Sequence, residues 1–365
     1  MKKSENAKKR YITAPSCVLL ALALISGAVL FIGTRSVPFA EWVSESIGSP
    51  LRRILAAATN FLPVSLAELL LLAAIPALVI IIVIAARKRG AGERVRFLIS
   101  LVSVLSLLFT GYVYTLGIGY HREGLGSRMG IEAVSVGAEN LNSTLEILRA
   151  ECEALVPELE FSESGSTVCK APLTDICSDI CEAYGTLAEE YPEMGLEVFE
   201  SRAKPVIMSK LMSGLELLGI YSFFTGESNV NVHYPDYTLP FTVAHEFAHQ
   251  RGISRENEAN FIAFLVCIRA DDPYVRYSGY MNMLEYVLSA LRRTDKELAD
   301  EFYLRADGAL ISEMRAYSKF YYDNKNEFLA KLSDFVNDNY LKAQGTEGII
   351  SYGLVVRLAV AYYSE

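Results

Sequence analysis

Two hydrophobic regimes divide the chain. Up to about residue 120 apolar residues run on without interruption, and beyond it they recur with a helical period. Tyr11–Thr34 and Phe97–Tyr120 contain no charge. Neither does Leu69–Ala86, whose apolar stretch extends back through Glu68 to Leu62. Each run meets the roughly 20 residues that cross the hydrocarbon core of a bilayer. A soluble helix keeps a polar face, which these runs lack. The pattern therefore predicts transmembrane helices at about 11–34, 62–86 and 97–120. A cleaved signal peptide fits the first run poorly, because the run is long and no small-x-small site follows it. Between the first two runs, Val37–Leu55 is too short to span. Its Phe39, Trp42, Val43 and Ile47 recur at roughly helical spacing, as in a helix lying on the outer membrane surface or, equally, an ordinary loop.

Beyond Tyr120 amphipathic periodicity predicts helices over 139–155, 175–191 and around 206–218. Gly219 to Val232 alternates like a strand. Helices are expected again over 242–251, 255–270, 273–292, 295–303, 308–337 and 349–363. The expected fold is mainly α. Residues 1–120 form a membrane anchor of three transmembrane helices, and 121–365 form a mostly helical domain with a short β-sheet or edge strand.

Charge sharpens this division. The 365 residues are 52% hydrophobic with a net charge of −9, which excludes a disordered chain and argues against a nucleic-acid partner. Residues 1–120 hold 13 Lys+Arg against 5 Asp+Glu, a net +8, so residues 121–365 hold −17. Five basic residues precede the first run, three separate the first two runs, and five separate the second from the third. Basic flanks stay cytoplasmic. The N-terminus is therefore expected in the cytoplasm, and residues 121–365 outside it, on a multi-pass protein of the cell membrane. Spans without a central charge offer a transporter little.

Cys152, Cys169, Cys177 and Cys181 fall close together in the exported part, where up to two disulfides are permitted and their pairing is open. The C-x2-C pairs of a structural zinc site are absent.

The chemistry concentrates between Leu239 and Phe261. His245 and His249 are four residues apart, so a helix presents both imidazoles on one face, a turn apart. Glu246 follows the first of them. This H-E-x-x-H arrangement is that of zinc peptidases: two nitrogens hold Zn2+ and the glutamate takes a proton from water. A catalytic zinc takes three protein ligands and keeps one position open. Gly252 can end the helix and Ser254 can cap a second one, whose first turn then carries Glu256. Glu256 is favoured as third ligand, with Glu258 the alternative. Asn260, on the same face as Glu256, could hold a histidine ring by its free nitrogen. His121 and His233 are read as an interfacial and a surface or loop residue.

Two flanking features could serve a peptide or protein substrate. The segment Glu227–Asn231, with Asn229 and Asn231, alternates like an edge strand to which an extended peptide could pair; a structural hairpin is the equal alternative. Arg276, Tyr277 and Tyr280 offer donors that could stabilise an oxyanion, although packing explains such a cluster more often.

These stretches resemble the bacterial family catalogued as domain of unknown function 3810. The resemblance runs through Gly119-Tyr-His-Arg-Glu-Gly-Leu, Ser209-Lys-Leu-Met, Gly219-Ile-Tyr, Phe224-Thr-Gly-Glu-Ser-Asn-Val-Asn, His245 to Phe261 and Arg276-Tyr-Ser-Gly-Tyr280. It implies a membrane zinc peptidase with a zincin-like domain. The motif is also similar to that of gluzincins, which implies one Zn2+ on His245, His249 and Glu256, with Glu246 as base. Asn260 then stands where gluzincins carry an aspartate, and Glu256 follows His249 more closely than is usual there. In metzincins the third ligand falls at the position of Arg255, which cannot ligate. Two functions are therefore expected. One is a membrane-anchored metallopeptidase acting outside the cytoplasm. The other is a non-catalytic zinc-binding membrane receptor or assembly factor, in which a fourth protein ligand closes the site.

Overall fold

The computed structural model describes residues 12–88, 90–131, 134, 136–344 and 352–364. The start of the first apolar run, Tyr11, lies outside them. Helix α1 (Ala14–Gly33) opens on a Thr13 cap. Helix α2 (Val37–Val43), a π-helical turn over Ser44–Gly48 and helix α3 (Ser49–Asn60) follow as one nearly continuous rod. The segment with Trp42 is thus helical, and Trp42 is 56% exposed while Ala40 and Val43 are buried against Ile118. Helices α4 (Leu66–Arg87) and α5 (Ala91–Thr115) follow.

Helices α1, α4 and α5 are long and apolar enough to cross a membrane. Along α4 no residue of the most apolar window is buried by protein, as expected of a helix surrounded by lipid. Helices α1 and α5 pair in parallel. Ser26 donates to Thr110 at 3.3 Å, and small Ser103 and Ser106 are buried. Small residues and hydroxyl bonds hold helices together where lipid removes the hydrophobic drive.

After α5 come the short α6 (Leu125–Arg128), α7 (Ala138–Leu155) and α8 (Leu173–Glu190), the last two close to the periodicity in the sequence. Strand β1 (Ala203–Pro205) precedes helix α9 (Ser209–Gly214), which is shorter than the helix expected around 206–218 and lies within it. Strands β2 (Gly219–Ser222) and β3 (Glu227–Val230) form a hairpin. In the sheet β3 is central, parallel to β1 and antiparallel to β2. Helices α10 (Thr238–Gln250), α11 (Glu256–Cys267) and α12 (Pro273–Thr294) build the core, where Phe247, Phe261 and Phe264 have no exposed surface. Each such side chain contributes about 1.5–3 kcal/mol by leaving water. Helices α13 (Lys296–Arg305), α14 (Gly308–Asn324), α15 (Glu327–Ala343) and α16 (Tyr352–Tyr362) finish the chain. The single helix expected over 308–337 breaks at Lys325–Asn326, where the Asn326 side chain caps α15.

The boundary expected at residue 120 is bridged by buried charge. Arg52 of α3 donates to Glu197 through Nε at 3.1 Å and to the Ser44 carbonyl at 3.2 Å. Glu41 accepts from Arg122 at 2.6 Å and from the Glu123 amide at 2.9 Å. Glu227 caps α4, accepting the Leu66 and Ala67 amides at 3.0 and 2.8 Å, while Glu68 accepts those of Ile207 and Met208 at 2.9 and 2.8 Å. Carboxylates there satisfy amides that a helix start leaves free. All six cysteines are free thiols, and Cys152, Cys177 and Cys181 are buried in the packing of α7 and α8.

Candidate metal centre

Helix α10 is fixed before any ligand is placed. Pro240 suits its first turn, where an N–H would be free anyway. The Phe241 amide donates to Ser278 of α12 at 3.0 Å. Ser228 of β3 donates to the Glu246 carbonyl at 3.1 Å. From this rigid rod His245 and His249 bring their Nε2 atoms within 3.0 Å of each other.

The third member depends on how the chain turns. Gly252 has φ +87°, a left-handed conformation that glycine adopts without steric cost. A β-carbon there would also lie 2.6 Å from the Arg52 guanidinium. The turn returns the Ile253 carbonyl to His249, which donates to it from Nδ1 at 2.7 Å. Ser254 donates to the Leu116 carbonyl at 2.6 Å, and Arg255 to the carbonyls of Tyr120 and Arg122 at 3.0 and 2.7 Å. Ser254 therefore fastens the turn to the end of α5, and Arg255 is the residue at the α11 cap. Glu256 opens α11 with its carboxylate 3.3 Å from His245 Nε2 and 3.5 Å from His249 Nε2. One ligand atom from each of the three lies within 4.8 Å of the others.

This cluster demands positive charge. Donation from His249 Nδ1 leaves a lone pair on Nε2 of the neutral ring, aimed at another imidazole and a carboxylate. Without a metal the demand falls on protons. Burial opposes charging of His249, but Glu256 outweighs it and pushes the imidazole up to about 9. Burial likewise opposes ionisation of Glu256, yet the two imidazoles hold its carboxyl well below the usual range. Two nitrogens and a carboxylate are a donor set that suits Zn2+, so the residues present fit the ion that the motif implies.

Glu258, the alternative ligand, is committed elsewhere. It accepts from the Leu125 amide at 3.0 Å and from Arg255 at 2.7 Å. Asn260 is 4% exposed on the cavity wall, and no hydrogen bond joins it to either imidazole. The carbonyl of Ile253 does for His249 what was expected of it. His245 Nδ1 is buried without a hydrogen-bond partner among the described residues.

Glu246 is 3% exposed, and its Oε2 has no hydrogen-bond partner among the described residues. Burial pushes its carboxyl up to about 7, against the pull of both imidazoles. Gly219 makes room for it, since a β-carbon at that position would lie 2.7 Å from Glu246 Cγ and closer still to Oε1. The four side chains face a cavity of about 660 Å³. Gly219, Ile220 and Tyr221 of β2 form one wall, and Tyr112 and Leu116 at the end of α5, with Tyr120 just beyond it, form another. Leu332, Val336 and Tyr340 of α15 line a further side, with Asn282 and Tyr286 of α12.

The flanking expectations are corrected. Glu227–Val230 is the central strand, so its backbone is already paired on both sides. The Asn229 amide donates to the Ile220 and Glu227 carbonyls at 3.1 and 3.2 Å. That of Asn231 donates to Ser213 and the Leu217 carbonyl at 3.1 and 2.9 Å. The strand edge at the cavity belongs to β2. Arg276 donates to the carbonyls of Ala270 and Asp271 at 3.0 and 2.6 Å, Tyr277 is fully buried, and Tyr280 packs edge-on to Phe264. None of the three lines the cavity: Tyr277 and Tyr280 pack into the core, and Arg276 turns back to the loop before α12. His233 is half-buried, with Nδ1 3.1 Å from Ser213 Oγ and its ring on Phe320. The aromatic walls from α5 and α15 escaped the sequence reading, since residues over 200 positions apart meet there. Only the apolar stripe along 328–336 hinted at them.

Fold and site together define a mainly helical protein with three helices capable of spanning a membrane and a cluster of two histidines and a glutamate under a cavity. The chain belongs to the family described as protein of unknown function (DUF3810), whose model matches residues 44–360. That match runs across residue 120, as the buried ion pairs do. Comparison with curated proteins and with solved structures gives no match.

Proposed function

We propose that this chain is a membrane-anchored, zinc-dependent metallopeptidase that cleaves peptide bonds outside the cytoplasm. The observation that carries the proposal is the convergence of His245, His249 and Glu256 beside the buried Glu246 carboxylate, all open to one cavity. His245, His249 and Glu256 would hold the ion. When bound, Zn2+ supplies Lewis acidity toward a carbonyl oxygen and toward water.

The chain supplies the rest. Glu246 would accept at Oε2 a proton from the attacking water and return it to the leaving amine. Its setting, enclosed by Gly219 and α10, limits the rotamers available to it. The edge of β2 offers backbone groups to an extended peptide, which would align a scissile bond across the cavity. The Ile253 carbonyl keeps His249 in the tautomer that presents Nε2. A receptor with a closed zinc site would need a fourth protein ligand, and its nearest candidate, Glu258, is held by Leu125 and Arg255.

The test is metal analysis and peptide cleavage by the full chain in nanodiscs, beside Glu246→Gln. One zinc per chain, cleavage by the native protein and none by Glu246→Gln are expected. Full zinc occupancy without cleavage of any peptide, or undiminished activity in Glu246→Gln, overturns the reading.

A further inference from the structure

Helix α15 closes one side of the cavity and carries an apolar face that no part of the described protein covers. Phe328, Phe335 and Val336 are 75%, 68% and 58% exposed, and Leu332 is 45% exposed. Their spacing puts them on a single side of the helix, and Leu332 and Val336 also line the cavity. Large apolar side chains left contiguous and exposed mark an interaction site.

The position of α15 identifies what covers the stripe. At its C-terminal end Tyr340 packs on Tyr112, three residues before the end of the spanning helix α5, with ring centroids 6.4 Å apart. At its N-terminal end Leu329 meets Gly214 of α9, where a β-carbon would lie 3.3 Å from the Leu329 side chain. Helix α9 follows Ile207 and Met208, whose amides are bonded to Glu68 in the first turn of the spanning helix α4. The start of α4 and the end of α5 lie on the same side of a membrane, because the two spans are joined by a short connection. Both ends of α15 are therefore tied to the level where the spans leave the bilayer, and the helix lies across them. Ile207, 70% exposed, and Leu211, 44% exposed, continue the apolar surface along the same path.

We propose that the exposed face of α15 rests in the lipid surface and that the cavity takes polypeptides held at the bilayer by an apolar anchor. This assignment rests on the peptidase reading above and names its substrate class. A chain emerging from the membrane beside α15 meets the cavity wall formed by Leu332 and Val336 without first entering bulk water. Confinement to the same surface raises the local concentration of such a substrate, as a tether does.

Two measurements on the full chain in lipid vesicles test the proposal. Trp42 is the only tryptophan. In a Trp42→Phe, Phe335→Trp double variant, lipids brominated on the acyl chain should quench the fluorescence; unquenched emission overturns the proposal. Next, a quenched-fluorescent peptide library is offered free or joined to a palmitoyl chain. The anchored form should be cleaved about tenfold faster or more. Joint Phe328→Ser and Phe335→Ser substitution should abolish that preference while cleavage of the free library is kept. Equal rates on both forms overturn the substrate assignment and leave the peptidase reading standing. Cleavage of neither form at full zinc occupancy is failure of the peptidase reading and takes the assignment with it.

Discussion

Gly219 and Glu246 fit together as socket and occupant: any β-carbon at 219 would lie 2.7 Å from Glu246 Cγ, inside van der Waals contact. The contact joins the edge strand β2 to the helix that carries the motif. It also explains a glycine in a strand, where the residue otherwise weakens pairing.

Gly219→Ala should push the carboxylate aside while leaving the proposed ligands His245, His249 and Glu256 in place. The expected outcome is retention of zinc with a fall in turnover of about 10²-fold, the usual scale for an ångström of misplacement. Metal analysis alongside steady-state kinetics checks it.

Glu256 and Glu258 should separate cleanly. Glu256→Gln removes the carboxylate charge facing both imidazoles and should lower zinc content, read by atomic absorption after dialysis. Glu258→Gln keeps an acceptor for Leu125 and should retain zinc. Glu258→Ala strips the partner from a buried amide and should cost about 1–3 kcal/mol of stability, measured by denaturant unfolding in detergent.

Arg52→Ala would leave Glu197 charged and buried, with the solvent-exposed Arg53 as its remaining cationic neighbour among the described residues. Breaking a buried pair from one side costs about 3–5 kcal/mol. Because the pair joins α3 to the segment before β1, a lower melting temperature and faster proteolysis between residues 197 and 203 are expected.

Stability should fall as pH rises toward neutrality. Burial, reinforced by the charge of Glu313, pushes the Glu285 carboxyl from 4.5 up to about 7, against the hydrogen bond from Tyr237. A group whose pKa is raised in the folded state stabilises it below the unfolded value, and that contribution is lost as pH climbs through the folded one. The window is therefore about pH 4.5 to 7. Thermal melts across it should show a decline that Glu285→Gln lessens, the remainder coming from Glu246, which burial raises over the same window.

Much of this protein was legible in the order of its residues. The three helices long and apolar enough to cross a membrane follow from unbroken apolar runs, since lipid requires a helix to be apolar all round. The histidine pair follows from the helical repeat, and Gly252 from the need for a left-handed turn. These are local properties, set within one or two turns of chain. Long-range packing decided the rest. Glu256 and Glu258 are the same residue type two positions apart, and only the anchoring of the turn by Ser254 and Arg255, with Leu125 occupying Glu258, separates them. Strand alternation marked Glu227–Val230 correctly but could not say that β1 would pair beside it and make it central. Composition could not show that Arg52, Glu41, Glu68 and Glu227 bond the residues before 120 to those after it. The cavity walls come from α5 and α15, far apart in the chain and adjacent only in the fold. Periodicity reports which face of an element avoids water; tertiary structure alone decides which element covers it.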